Sequence, residues 1–382
     1  MKLTASTKQL GAAIKAVLPA VATRPGLPLL SGVRIDAGDK GLALEATDLE
    51  LSIRHYPGED ISVDRPGSAV VPAKALAKAV QSAPGAEVEL DSGSHEGRTR
   101  LQVRSGSRVV TLEGYPPEDW PANPGPSDFV PVAEGEAPAL AEALRLAALC
   151  ASKDEMRPTL TAVALFFGEG SSSLEVVGTD SYRLGVVPIP LTGIREAPER
   201  SPLVPARVAR ALAKQLKGLK ETVRIGVAGP DHSTAPLVGF SFAGSTWCVR
   251  TIEGQYPAWR QVVPEAEGGL LEFDPAELDS ALRASVSVRG TRGASVRLSL
   301  DRSCSLGLAD PDFGTVEEGL AGVTFSPNGA GPLEVTFNSD YLLDAVRFVG
   351  GERARMWIRD ALKPALFERD QRRYALMPIR NR

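Results

Sequence analysis

The segment Leu203–Lys220, LVPARVARALAKQLKGLK, predicts a helix with two different faces. Pro205 favours a helix start, because its missing N–H would be unpaired in the first turn in any case. Steps of three, four and three residues place the cations on one face: Arg207, Arg210, Lys214 and Lys217. A second face carries apolar residues that can be buried: Val208, Leu212, Leu216 and Leu219. A lone helix of this kind is usually a solvated flank, but this helix has relatives elsewhere in the chain.

Similar short sequences recur at nearly constant intervals. Val71-Pro72-Ala73-Lys74 matches Val204-Pro205-Ala206-Arg207 after 133 residues, and Phe337-Asn338 takes the same place after a further 133. Thr47-Asp48 matches Thr179-Asp180 after 132 residues, and Ala309-Asp310 follows after 130. This period has the length of a domain and is too long for a solenoid repeat. The sequence therefore predicts one kind of domain used three times.

Each predicted unit contains two helices and several mostly antiparallel strands, which is an α+β arrangement of helices packed on sheets. The first helix is expected over residues 4–23, with a Ser6 or Thr4 cap and with Pro19 as its end or kink. Pro-rich segments at Tyr115–Pro126 and Gln255–Pro264 punctuate the chain, and the first of them reads as a linker. The expected domains are residues 1–126, 127–267 and 268–382.

Composition limits the class of protein. The 382 residues carry a formal net charge of −4, whereas a protein that simply coats nucleic acid is usually more basic. The three cysteines are scattered, which argues against a disulfide framework and fits a reducing compartment. The first residues, MKLTASTKQL, lack a signal-peptide core, and no apolar run reaches the roughly 18 residues of a membrane span. We therefore expect a cytoplasmic protein without a membrane partner.

The distribution of charge indicates how the units assemble. Three similar units in line can close through a two-fold dimer, which would form a ring with helices around the hole. Cations are frequent on the predicted helices, for example Lys8, Lys15, Lys74 and Lys78, while acidic residues concentrate in loops and strands. Lys and Arg on helix faces, without interleaved aromatic residues, give phosphate-level binding that is independent of base sequence. The sequence thus favours duplex DNA as a partner.

Five segments carry a resemblance to a known family: RPGLPLLSGVRI (24–35), GTDSYRLGV (178–186), EGQYPAWRQVVP (253–264), FNSDYLLDAV (337–346) and YALMPIR (374–380). They occur in the family's order from one end of the chain to the other. On these segments the chain resembles the bacterial DNA polymerase III β subunit, the sliding clamp. Each segment alone is weak evidence, whereas all five together with the three-fold repeat are specific.

The resemblance implies a head-to-tail homodimeric ring that encircles duplex DNA, tethers replicative and repair polymerases, and confers processivity. It implies a non-catalytic accessory subunit without a cofactor, located in the cytoplasm with the nucleoid. DNA polymerase subunits and a separate ATP-driven clamp loader would bind through short peptide motifs. The dimer contact is expected between the first domain of one subunit and the third of the other, along Arg98–Val110 and Ser295–Leu300.

The resemblance also implies a partner-peptide pocket between the second and third domains. Its apolar side chains would supply area to bury, and its arginines would hold backbone carbonyls or a carboxylate. Its residues would be Leu160, Thr179, Ser181, Tyr182, Arg183, Leu184, Pro257, Val262, Asn338, Tyr341, Leu362, Pro364, Met377, Pro378, Ile379 and Arg380. Ser181-Tyr182 stands where the family commonly has Gly-His, and Gln261 stands where an Arg is frequent. These departures bear on peptide preference more than on fold.

For DNA, the resemblance points to Arg24, in the loop after the first helix, and to Lys153, in the loop after the helix that ends near Cys150. Electrostatics alone adds the charged face of the 203–220 helix, namely Arg207, Arg210, Lys214 and Lys217.

Two alternatives stay open. One is a specialised clamp paralogue, for example one that tolerates a clamp-binding inhibitor. The other is a hydrolase with its site in a cleft between repeats, for which the sequence offers no convergent nucleophile and base. The segment Gly239–Ala243, GFSFA, approaches a nucleophile elbow but lacks the closing Gly and alternates like a strand. His55, His95 and His232 have no metal-ligand spacing, so we expect no metal site.

Overall fold

The computed structural model describes residues 1–39, 41–58, 61–95, 97–122, 129–168, 172–192, 198, 200–228, 237–287, 294–310, 314–328 and 331–380. In these ranges, six helices accompany sheets whose strands pair antiparallel, which confirms the predicted α+β class. None of the helices within the described ranges is long and apolar enough to cross a membrane.

The first third of the chain contains nine strands and two helices among its described residues. In order they are β1 (Lys2–Ser6), α1 (Thr7–Val17), β2 (Gly32–Gly38), β3 (Gly41–Thr47), β4 (Leu51–His55), β5 (Ile61–Arg65), β6 (Gly67–Pro72), α2 (Ala73–Gln81), β7 (Glu87–His95), β8 (Arg98–Ser105) and β9 (Arg108–Glu113).

The middle third contains β10 (Phe129–Glu136), α3 (Ala137–Cys150), β11 (Ala162–Phe167), β12 (Ser173–Thr179), β13 (Arg183–Pro190), β14 (Leu203–Pro205), α4 (Ala206–Leu216), β15 (Thr222–Ala228), β16 (Leu237–Phe242) and β17 (Ser245–Arg250). The last third contains β18 (Gly269–Phe273), α5 (Pro275–Ser287), β19 (Ser295–Leu300), β20 (Ser305–Asp310), β21 (Gly314–Gly319), β22 (Val323–Ser326), β23 (Leu333–Asn338), α6 (Ser339–Val349), β24 (Ala354–Ile358), β25 (Ala365–Arg369) and β26 (Arg372–Leu376).

The three thirds repeat one plan, as the sequence period predicts. Each runs through a strand, a helix, a group of strands, a second helix and three strands. The pairing repeats as well. Strand β1 pairs with β5 and β7, and β18 pairs with β22 and β24. Strand β2 lies between β3 and β6, and β19 lies between β20 and β23.

The chain forms two compact units, and the middle repeat is divided between them. Unit 1 contains residues 1–138, 191–204 and 214–251, and unit 2 contains residues 139–190, 205–213 and 252–382. In unit 1, one sheet has the order β5-β1-β7-β8-β9 and another the order β10-β15-β16-β17-β4-β3-β2-β6. In unit 2, strands follow the order β11-β12-β13-β26-β25-β24-β18-β22, and a smaller sheet has the order β21-β20-β19-β23. The domain boundaries expected from the sequence remain a prediction.

Helix α4 has the two faces that its spacing predicts. Its apolar stripe is buried at Val208, Leu212 and Leu216, and each such side chain contributes about 1.5–3 kcal/mol when it is removed from water. The helix ends at Leu216, one residue before Lys217. Gly218 follows with φ 85°, a left-handed conformation that glycine adopts without strain and that commonly ends helices.

The amino-terminal prediction is wrong at its start. Residues 4–6 belong to β1, and α1 begins only at Thr7. Leu3 pairs with Val63 and Leu90 and is fully buried, so pairing with two distant strands outweighs the local helical pattern. Ser6 is the helix cap, and its Oγ accepts a hydrogen bond from the Gln9 N–H at 3.4 Å.

The segment Tyr115–Pro126 is not a free linker in its described part, residues 115–122. Trp120 is buried, and its Nε1–H donates to Glu45 Oε1 at 3.0 Å. The Tyr115 N–H donates to the Val70 carbonyl at 2.9 Å. A bulky apolar side chain in a Pro-rich segment therefore indicates docking against the rest of unit 1 rather than a spacer. Residues 123–126 lie outside the described ranges.

The stretches predicted for the dimer contact lie mainly on interior strands, although Arg98–Val110 ends in the edge strand β9. Most of Arg98–Val110 is β8, which pairs with both β7 and β9, and Ser295–Leu300 is β19, which pairs with both β20 and β23. Interior strands have no free edge for a second subunit. The nearby edge strands are β9 and β21.

Candidate functional site

A cavity of about 570 Å³ lies in unit 2 and is lined mainly by apolar side chains. Ten residues of the predicted pocket line it: Leu160, Thr179, Ser181, Tyr182, Arg183, Leu184, Pro257, Val262, Pro364 and Met377. The lining also includes residues outside the predicted set: Trp259, Gln261, Val263, Pro264, Glu265, Arg359, Lys363 and Ala375. Most of these are sequence neighbours of predicted residues, so the segments that carry the family resemblance also indicate them. Arg359 had no such signal.

Six predicted residues do not line the cavity: Asn338, Tyr341, Leu362, Pro378, Ile379 and Arg380. Asn338 instead caps α6, because its Oδ1 accepts from the Asp340 and Tyr341 N–H groups at 3.0 and 3.2 Å. The Ile379 N–H donates to the Thr336 carbonyl at 2.7 Å, which ties down the chain after β26. Leu362 is exposed on the turn before β25.

The turn between β12 and β13, together with Thr179 and Arg183 at the adjoining strand ends, contributes four of the lining residues and is fixed by its own side chains. Asp180 Oδ1 accepts from the Tyr182 and Arg183 N–H groups, each at 3.0 Å. Thr179 Oγ1 donates to the Arg183 carbonyl at 2.7 Å. Ser181 has φ 78°, a conformation that side chains other than glycine adopt with strain.

The first repeat contains the same turn, as the Thr-Asp anchor predicts. Asp48 Oδ1 accepts from the Glu50 and Leu51 N–H groups at 3.1 and 2.8 Å, and Leu49 has φ 74°. The repeated Thr-Asp pair therefore marks a turn with the same backbone geometry in both repeats. The side chains that follow the aspartate differ, so the two turns present different surfaces.

Arg183 lies beneath this turn as a largely buried cation. Its Nε–H donates to Asp180 Oδ2 at 2.9 Å, one Nη to Asp344 Oδ2 at 2.5 Å, and the other to the Leu149 carbonyl at 2.7 Å. Desolvation acts to lower the pKa of Arg183, but the hydrogen bond to the Asp344 carboxylate helps to raise it above its ordinary value. The guanidinium therefore stays charged and joins the β12–β13 turn to α6.

An aromatic stack connects Arg183 to the cavity mouth. The guanidinium carbon lies 4.3 Å from the centre of the Tyr341 ring, a cation–π distance. The Tyr341 and Tyr182 rings are stacked with centroids 6.4 Å apart and planes at 28°. Burial raises the pKa of Tyr341, so its hydroxyl stays neutral near pH 7. The stack ends at Tyr182, which is 63% exposed.

The cavity exposes apolar surface on a charged background. Val262 and Met377 in its lining are 59% and 42% exposed. Arg359 and Lys363 pair with Glu267 and Asp360, at 2.8 and 3.8 Å, so the cations at this rim are partly neutralised. An apolar groove with a few fixed polar groups suits a short peptide with apolar anchors.

Comparison with known families accounts for most of the chain. Models of three consecutive domains of the DNA polymerase III beta subunit match it: the N-terminal domain at residues 1–124, the central domain at 136–258 and the C-terminal domain at 260–380. The chain belongs to the DNA polymerase III beta subunit family. It is therefore a DNA polymerase processivity clamp, an accessory factor in DNA replication, as the resemblance predicts. Sliding clamps of this family bind DNA and polymerases as ring dimers.

Individual relatives agree over nearly their full length. The beta sliding clamp of Staphylococcus aureus is 27% identical over 376 residues, which span 95% of each chain. The crystal structure of the DNA polymerase sliding clamp from Bacillus subtilis matches with a TM-score of 0.89 at 25% identity, over all of both chains. The sliding clamp from Bartonella birtlesii, solved bound to griselimycin, matches with a TM-score of 0.87 at 26% identity, again over all of both chains.

The predicted DNA-binding residues are all exposed. Arg24 lies in the turn after α1, and Lys153 in the segment after α3. Arg210 differs from its neighbours on α4, because one Nη donates to the Ala148 carbonyl at 2.9 Å, in the last turn of α3. Burial lowers the pKa of Arg210 without neutralising it at pH 7. Arg210 therefore also holds the end of α3, from which the Lys153 segment begins.

Neither a metal centre nor a nucleophile elbow emerges from the described residues. No group of three or more His, Cys, Asp or Glu side chains in those residues is placed to hold a metal ion. His55 instead shares a hydrogen bond with Ser245 Oγ at 2.8 Å, and His232 lies outside the described ranges. Ser241 lies within strand β16, as its alternating neighbours predict, and its Oγ is 3.4 Å from Thr246 Oγ1.

Proposed function

We propose that this clamp captures short peptide segments of its partner proteins in the unit 2 cavity and performs no catalysis itself. The partners would be DNA polymerase subunits, repair proteins and the clamp loader. The observation that carries the proposal is the cavity itself, which is about 570 Å³, mainly apolar, and bordered by exposed Tyr182, Val262 and Met377. Covering such side chains with a peptide gains about 25 cal/mol per Å² of apolar area removed from water.

The polar groups of the cavity would orient the peptide. Arg359 and Lys363 can attract a carboxylate or hold peptide carbonyls. The edge of the site would be formed by the predicted residues that do not line the cavity: Asn338, Tyr341, Leu362, Pro378, Ile379 and Arg380.

The test replaces exposed cavity residues one at a time. Met377→Glu and Val262→Glu place a charge where an apolar anchor would be buried, so we expect each to weaken binding of a labelled peptide from the same organism's replicative polymerase at least tenfold. Val130→Glu is the matched control, because Val130 is 54% exposed on β10 and lies outside the cavity. Fluorescence anisotropy measures the affinities. Undiminished affinity in both cavity variants would refute this site.

Duplex DNA would bind through exposed cations, independently of base sequence. Arg24 and Lys153 belong to turns after equivalent helices of the first and second repeats. On α4 and just beyond it, the exposed cations are Arg207, Arg210, Lys214 and Lys217. Side chains of this type contact phosphates and release condensed counterions, which makes the binding salt-sensitive.

Two edge strands would close the homodimer. In β9 and β21, the outermost strands of their sheets, exposed and half-buried residues follow the same order. An unpaired edge strand presents free N–H and C=O groups to a second chain. We propose that β9 of one subunit pairs with β21 of the other, so that the first and third repeats meet across the dimer.

The location of the proposed function is the cytoplasm, on the nucleoid, where duplex DNA and polymerases are found. A fluorescent fusion should form foci that coincide with replicating DNA. Diffuse fluorescence during replication would count against this location.

A clamp with a changed ligand preference is the second candidate, and Tyr182 favours it. This ring is exposed at the cavity mouth on a residue pair, Ser181-Tyr182, that departs from the family's common residues. Griselimycin is a direct probe, because the Bartonella birtlesii clamp was solved bound to it. Weaker griselimycin binding by this chain than by that clamp, with polymerase-peptide binding retained, would support the specialised function.

A further inference from the structure

We propose that Gln215 is a positioning residue for DNA binding, which holds Lys15 of α1 beside Lys214 of α4 so that both lysines contact the phosphates of one DNA segment. The inference rests on the DNA-binding function proposed for α4 and extends it to α1. Gln215 itself would touch no phosphate and would act only through the two lysines.

The end of α1 leaves a backbone acceptor without its usual partner. In a continuing helix the Lys15 carbonyl would accept from the N–H of residue 19, but residue 19 is a proline and has none. Gln215 supplies a donor in its place, because its Nε2 donates to the Lys15 and Ala16 carbonyls at 3.4 and 3.2 Å. A side chain 200 residues further along the chain therefore completes this helix end.

The end of α3 is completed in the same way, again by a side chain of α4. There the N–H of Ser152, which a continuing helix would direct to the Ala148 carbonyl, donates to the Leu160 carbonyl at 2.8 Å instead. Arg210 Nη2 donates to the Ala148 carbonyl at 2.9 Å. In both places α4 fixes the last turn of a helix that precedes a predicted DNA-binding segment.

The contact made by Gln215 joins two cationic helices without neutralising them. Lys15 contributes the carbonyl that Gln215 binds, and Lys214 precedes Gln215 on α4. Both lysines are exposed, and neither α1 nor α4 contains an acidic residue. The third repeat differs, because Asp279 of α5 pairs with Arg347 of α6 at 2.7 Å. A neutral amide thus completes the end of α1 while both ammonium groups remain available to phosphates.

This contact is particular to the middle repeat. The period of 133 residues places Ser82 and Phe348 at the position of Gln215 in the first and third repeats. The Ser82 hydroxyl donates to the Ala79 carbonyl of its own helix at 3.3 Å, and the Phe348 side chain is fully buried. Neither side chain makes the contact of Gln215, so the contact follows from this one residue and not from the repeated fold.

The test measures how much Lys15 contributes to DNA binding with and without the Gln215 amide. Fluorescence anisotropy at low salt gives the affinity of the full chain for a short duplex. In the unaltered chain Lys15→Gln should cost roughly fivefold, the factor for one charge pair about 4 Å apart in water. In a Gln215→Met chain, which keeps the length of the side chain but has no donor, the same loss should fall to about twofold or less. Lys74→Gln, at an exposed lysine of α2, is the control and should cost the same in both chains.

A second variant separates positioning from a purely structural role. Gln215→Arg keeps a donor, as Arg210 does at α3, so the full loss caused by Lys15→Gln should return. A loss that is the same in the Gln215→Met chain as in the unaltered chain would overturn the proposal, whatever the melting temperatures. An unaltered chain that tolerates Lys15→Gln without loss would also overturn it. The DNA-binding function proposed for α4 would fail as well only if Lys214→Gln were equally without effect.

Discussion

Ser181 gives the β12–β13 turn its shape at the cost of backbone strain. Its φ of 78° lies in the left-handed region, where a Cβ atom crowds the following carbonyl. A β-branched side chain is disfavoured there more strongly than serine, so we expect Ser181→Val to lower the free energy of unfolding by about 1–2 kcal/mol. Ser181→Gly, which relieves the crowding, should not lower it. Urea denaturation measures both variants, and a Val variant as stable as the Gly variant would contradict the strained geometry.

His55 makes stability depend on pH. Burial lowers the pKa of His55 below its ordinary value of 6.5. The unfolded chain therefore binds a proton more readily than the folded chain. The part of the free energy of unfolding that depends on neutral His55 is complete above pH 6.5 and is lost as the pH falls through the folded pKa. We expect His55→Gln, which cannot titrate, to lose less thermal stability than the unaltered chain between about pH 7.5 and pH 5. Equal losses in thermal scans would show that His55 is not the responsible group.

Helix α4 combines a buried stripe with an exposed charged face, and the two faces can be tested separately. Arg210 also holds the end of α3, so it should be left unchanged. The double variant Lys214→Glu with Lys217→Glu should bind a short DNA duplex more weakly. The plot of log affinity against log salt concentration should also become less steep, by about 0.9 for each phosphate that the variant no longer neutralises. The double variant Arg224→Glu with Arg353→Glu alters equally exposed cations elsewhere and is the control. Identical slopes in anisotropy titrations would leave α4 without a DNA role.

Elements with a local signal could be predicted from the sequence, and elements that depend on remote pairing could not. The spacing of residues in α4 and the Thr-Asp anchors predict a helix and a turn, because residues close in sequence determine the geometry of both. Strand β1 was missed because its burial depends on β5 and β7, far along the chain. Likewise, the cavity contains the predicted segments, but Asn338 and Ile379 of those segments bond to the backbone instead of lining it. A segment motif cannot say which of its side chains faces a cavity.

At the scale of the whole molecule, the three-fold repeat was predicted, but its division into units was not. The period in the sequence follows each domain-sized copy along the chain. The sheets are not confined to single repeats. Strand β17 of the middle repeat pairs with β4 of the first repeat, and β26 of the third repeat pairs with β13 of the middle repeat. Hydrogen bonds between strands of different repeats therefore build the two compact units. Such pairings have no local sequence signal.

The proposed homodimer depends on edge strands that those sheets leave open. Val109 on β9 is 55% exposed, and the proposed pairing with β21 of a second subunit would bring this apolar side chain into the contact. Val109→Lys should therefore weaken the dimer at least tenfold, because a buried, unpaired ammonium is unfavourable and charge blocks edge pairing. Val130→Lys, an equally exposed valine on β10, should not change it. Sedimentation velocity at micromolar concentration would detect the shift from dimer to monomer, and a dimer that survives Val109→Lys would exclude β9 from the contact.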